Sequence, residues 1–117
     1  TTEERRYLLG YGHTDLLEHF RQFYLRDCTA VICYNVEIAD RLIRYLLSLG
    51  LRVPGDVAVV SFDNSYYSDL CPVRITSLAH QVGKLGGIAA RLLLDHIEGR
   101  TCQSQSISWR LIQKESG

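Results

Sequence analysis

Apolar residues recur along this chain at the two periods that define regular structure. Leu16, Leu17, Phe20, Phe23 and Tyr24 fall on one face at helical spacing, which predicts a helix over "HTDLLEHFRQFYLRD". Asp15 is placed to cap it, with Glu18 three residues on. The preceding "RRYLLGYG" reads equally as a short strand or a helix end, stopped by its two glycines. "TAVICYN" then gives a buried strand, Ala30 to Tyr34. A wide helical stripe follows in Ile38, Leu42, Ile43, Tyr45, Leu46 and Leu49, stopped at Gly50 with Pro54 just beyond. Val57 to Phe62 is a second apolar strand. The segment "DNSYYSDLCPV" after it is long enough for a loop with a role of its own. "RITSLAH" predicts a third strand. A third helix, Val82 to Glu98, carries Leu85, Ile88, Ala89, Leu92, Leu93 and Ile97 on one face and closes at Gly99. "SQSISWRLIQKESG" ends the chain as a strand and a polar tail.

Strands that alternate with helices and are apolar throughout belong to an α/β fold, with a parallel sheet covered on both faces. In such a sheet ligands bind at the carboxyl ends of the strands. Asn35, Asp63 and His80 each follow a strand, so parallel strands gather them along one edge. Asp63 supplies a fixed acceptor, Asn35 an acceptor and two donors, and neutral His80 one of each. That set suits a polyol or sugar. Each residue also has an ordinary structural role open to it: Asn35 as a helix N-cap, Asp63 as a turn former, His80 as a solvated surface histidine.

Composition narrows the function classes. The 117 residues, 46% apolar and with two prolines, suit one compact domain. Thirteen basic and thirteen acidic side chains cancel, so the chain does not grip nucleic acid by charge alone. No apolar run approaches the roughly 20 residues of a membrane span, and the opening "TTEERRYLLG" is not a secretory signal. Cys28, Cys33, Cys71 and Cys102 lack CxxC spacing and read as reduced thiols of a cytoplasmic protein. No cofactor or metal is expected. There is no GxSxG, HExxH or phosphate-loop motif, and "GKLGG" matches neither nucleotide fingerprint, so an enzyme is not the expectation. A Met-free chain opening on "TTEERR" looks like part of something longer.

"TAVICYNVEIADRLIRYLLSLGLRVPGDVAVVSFDN" resembles the effector-binding domain of the lactose-repressor/galactose-repressor (LacI/GalR) family. Its pieces are Thr29-Ala30, Asn35, Gly50-Leu51-Arg52-Val53-Pro54, Asp56 and Ser61-Phe62-Asp63-Asn64. "RITSLAHQVGKLGGIAARLLLDHIEG" and "LIQKESG" extend the resemblance to about Ser116, with Lys114 where the family has Arg. Val36 replaces the usual Asp, and Ser61 the usual Gly. His80 and "CYN" are most similar to the arabinose-responsive repressors, which carry a GntR-type winged-helix DNA-binding domain. The resemblance implies a Rossmann-like lobe of a periplasmic-binding-protein-like type I fold. It implies that residues 1–117 are the C-terminal part of the sugar-binding domain. The helix 82–98 would belong to the other lobe, with its apolar face left to be covered some other way. Asn35, Asp63 and His80 would bind a sugar effector, a pentose such as L-arabinose, in a homodimer. Operator DNA would be bound through a domain not in this chain. A periplasmic sugar-binding protein shares the fold and is the alternative, with a small α/β enzyme behind it.

Overall fold

The computed structural model describes residues 16–23 and 27–117. Its elements run α1 (Leu16–Phe23), β1 (Ala30–Cys33), α2 (Val36–Ser48), β2 (Ala58–Phe62), β3 (Thr76–Ala79), α3 (Val82–Ile97) and β4 (Arg110–Ile112). One 3-10 turn, Tyr66–Asp69, interrupts the segment between β2 and β3. Helices and strands follow the predicted order. The opening stretch, the Asp15 cap and Tyr24 lie outside the described residues.

The strands form one sheet in the order β1-β2-β3-β4. β1, β2 and β3 are parallel, with Val31 opposite Val59 and Ser61 opposite Ser77. β4 adds an antiparallel edge, with Leu78 opposite Leu111. It runs this way because the chain leaves β3 and re-enters β4 at the same edge, where His80 and Trp109 meet.

Strand alternation sends Cys33, Val57, Val59 and Ile75 to one face of the sheet. There they pack beneath Val36, Ala39, Leu42, Ile43 and Leu46 of α2, joined by Phe20 of α1. Val36, which stands where the family has an acidic residue, is thus a core side chain. Ser61 and Ser77 lie on this same buried face, and their hydroxyls satisfy each other at 2.8 Å. Coverage on both faces is not what the described residues show. The second face carries Ile32, Phe62 and Leu111, which are 70%, 38% and 64% exposed. α3 does not cover it, and no residue of α3 is buried. The radius of gyration is 18.3 Å, against about 13 Å for a compact chain of this length. No helix among the described residues is long and apolar enough to cross a membrane.

Local chemistry fixes the turns. α2 starts at Asn35, whose side-chain oxygen accepts the Ile38 N–H at 2.9 Å. It stops at Gly50, whose φ of +77° turns the chain back so that the Leu51 N–H reaches the Leu46 carbonyl at 3.1 Å. Asp56 then accepts the Arg52 N–H at 2.7 Å and the Arg52 guanidinium at 2.8 Å, closing the turn into β2. The tail folds back between the amino ends of β2 and β3. The Val59 N–H donates to the Ser116 carbonyl at 2.8 Å, and the Thr76 N–H donates to the Ser116 hydroxyl at 2.9 Å.

Candidate functional site

All three parallel strands end at one edge of the sheet, and each is followed there by one of the polar residues singled out in the sequence. Asn35 follows β1, Asp63 follows β2 and His80 follows β3. The sheet register therefore brings the three to one border, as parallel strands require.

They are not equivalent. Asn35 has its side-chain oxygen committed to capping α2. Asp63 adopts a φ of +66°, the left-handed region that only glycine enters without cost and that Asp tolerates better than most residues. Its backbone N–H donates to the Leu78 carbonyl at 3.0 Å, a last rung joining β2 to β3. Its carboxylate is exposed and makes no hydrogen bond or ion pair among the described residues.

His80 is exposed, and its ring lies on the Trp109 indole with centroids 3.7 Å apart and planes tilted by 42°. Trp109 meets Phe62 edge-on at 5.5 Å. Stacking fixes the plane of the imidazole and leaves its nitrogen-bearing rim free to bond a ligand. Phe62 stood in the sequence motif that ends β2, whereas Trp109 was not singled out. No local sequence pattern marks Trp109: it is the β3–β4 register, which pairs Ala79 with Arg110, that puts it opposite His80.

Asn64, the neighbour of Asp63, has a structural task. The Lys114 side chain is only 10% exposed, and its ammonium donates to Asn64 Oδ1 at 3.1 Å and to the Ser68 hydroxyl at 2.6 Å. It also pairs with Asp69 at 2.9 Å. The loop after Asp63 is thus tied to the tail strand, which steadies the Asp63 backbone.

A second cluster lies where the loop meets α2. Buried Asp40 accepts from Arg44 at 2.9 Å and from the Tyr67 hydroxyl at 3.2 Å. That hydrogen bond, then the Asp40 charge, raise the Tyr67 pKa above its ordinary value. Burial, then the same carboxylate, push the Cys71 thiol up to about 11. Burial alone pushes the Cys33 thiol up to about 12. These thiols stay protonated at neutral pH and pack as small apolar groups. Among the described residues no three His, Cys, Asp or Glu side chains gather as metal ligands.

The model of the periplasmic binding protein-like domain matches residues 2–116. The arabinose metabolism transcriptional repressor of Geobacillus stearothermophilus is 35% identical over 103 residues, covering 81% of this chain and 28% of the repressor. A LacI family transcriptional regulator from Arthrobacter sp. FB24, solved in complex with lactose, superposes with a TM-score of 0.72 at 26% identity, covering 86% of this chain and 38% of the regulator. A transcriptional regulator CelR–cellobiose complex gives a TM-score of 0.71 at 33% identity, covering 79% and 29%. The chain spans about a third of the length of these proteins. Regulators described as LacI family recur among the solved structures, so a LacI-type reading fits better than the GntR-type DNA-binding domain expected from the sequence. The chain belongs to the periplasmic binding protein-like domain family.

Proposed function

We propose that this chain is the C-terminal part of the sugar-sensing domain of a bacterial LacI-type transcriptional repressor. One observation carries the reading: Asp63, strained and with its carboxylate unused, shares a sheet edge with Asn35 and His80. Asp63 and His80 bond the hydroxyls of the sugar. Asn35 caps α2 and orients that helix toward the site, and its amide is the third ligand. Sugar-complexed neighbours and the likeness to an arabinose repressor support a sugar as effector, and we take a pentose such as L-arabinose as its identity. Helix 82–98 belongs to the facing lobe, so the sugar sits between two walls. Binding favours the closed arrangement, and the shift in population alters the grip on operator DNA through a separate domain. No bond is broken. The protein works in the cytoplasm as a homodimer, with α2 and the segment 65–73 at the contact, where Tyr66 and Leu70 are 81% and 63% exposed.

Calorimetric titration of the native-length protein with pentoses and hexoses tests this. One sugar should bind saturably, and Asp63→Ala should abolish the heat while operator binding persists without sugar. If Asp63→Ala still releases DNA at the normal sugar concentration, the site is misplaced. If no sugar binds the unsubstituted protein, the effector belongs to another chemical class.

A further inference from the structure

We infer that Trp109 is a specificity-determining residue: the indole face that His80 leaves uncovered is the platform on which one face of the sugar ring rests, and it selects pyranoses carrying an axial hydroxyl. The inference rests on the sugar-sensing reading and deepens it. A cavity of about 110 Å³ opens between the carboxyl edge of the sheet and the start of α3. Trp109, His80, Gln81, Leu85, Gln105 and Ser108 line it. The indole is 45% exposed there. Phe62 braces its edge and His80 lies against its plane. Gln81 ties the two chain crossings together by donating to the Ser108 carbonyl at 2.8 Å. Around this platform the His80 ring nitrogens, the Gln105 amide and the Ser108 hydroxyl make no hydrogen bond among the described residues.

An aromatic plane bordered by unused amide, hydroxyl and imidazole groups fits the two-sided chemistry of a sugar ring. A pyranose presents hydroxyls at its rim and C–H groups on its faces. When one hydroxyl is axial, the C–H groups collect on the opposite face and form a continuous apolar patch. That patch matches an indole; an all-equatorial ring splits its C–H groups between both faces and matches it less well. Sugars of the arabino and galacto configurations have the axial hydroxyl, and xylo and gluco sugars do not. The surrounding polar groups hold the rim.

The test is titration of the native-length protein and its Trp109→Ala and Trp109→Phe variants with L-arabinose, D-galactose, D-xylose and D-glucose, with Asp63→Ala in parallel. Trp109→Ala should weaken the preferred sugar roughly tenfold. Trp109→Phe should recover most of that loss. The preference for axial over equatorial sugars should shrink in Trp109→Ala more than in Trp109→Phe. If Asp63→Ala abolishes binding but Trp109→Ala weakens it less than fivefold, the platform is wrong and the sugar site stands. If the unsubstituted protein binds xylose and glucose as well as arabinose and galactose, the selectivity is wrong. If no sugar binds at all, the sugar-sensing reading fails and takes this inference with it. Thermal unfolding of each variant separates loss of fold from loss of contact.

Discussion

Asp56 shows how one carboxylate sets a pH dependence. Hydrogen bonds from Arg52, side chain first and backbone second, lower its pKa from 3.8 to about 2. The folded state thus holds the ionised form more firmly than the unfolded chain does. The stabilisation is fully present above about pH 4 and fades as pH falls toward 2. Asp56→Asn should therefore lower the melting temperature modestly at pH 7, and the gap from the unsubstituted protein should shrink steadily as pH falls from about 4 through 2. A gap of constant size across a pH series of thermal melts would refute this. The thiols give a second residue-scale outcome. Cys102 is exposed, whereas Cys33 and Cys71 are buried and shifted well above their ordinary value. An aromatic disulfide reagent at pH 8 should modify Cys102 quickly. Cys33 and Cys71 should react only after denaturant is added.

At the scale of elements, α2 is the main support of the covered face of the sheet, and Ala39, Ile43 and Leu46 are its fully buried contacts. Ile43→Ala should cost about 2–5 kcal/mol in urea unfolding, since it removes core volume that the sheet cannot refill. Lys114 has a narrower task, and Lys114→Ala should cost about 2 kcal/mol by removing its bonds to Asn64, Ser68 and Asp69. Hydrogen exchange in residues 65–70 should rise with it and leave α2 protected. Elements like α2 are legible in a sequence because a single apolar stripe meets a single cover. The edge residues were legible for a related reason: a strand that stays apolar and then turns to Asp or His marks its own end. The Trp109 contact was not, because it depends on where β4 re-enters, and no local pattern encodes a pairing across the length of α3. The open second face was equally hidden. Val60, Phe62 and Leu78 alternate just as they would beneath a covering helix, and only the path of α3 shows that none of the described helices lies there.

For the whole molecule, the feature that matters most is apolar surface without a cover. Val82, Leu93, Leu94 and Ile97 of α3 are 71%, 60%, 58% and 70% exposed, in addition to the open face of the sheet. Exposed apolar area of this extent favours association. The chain alone should sediment as concentration-dependent assemblies, and replacing Leu93 and Ile97 with Lys should shift it toward monomer. A sharp monomer boundary at high concentration for the unsubstituted chain would contradict this. The returning tail has a consequence of a different kind, in time. Ser116 bonds to Val59 across a sequence separation of 57 residues. A ribosome adds roughly 5–20 residues per second, so β2 emerges roughly 3–11 s before the residue that bridges its amino end to that of β3. During that interval the amino end of the β2–β3 seam is unfinished. Among the pairings described here, it is the one most dependent on chain still to be made.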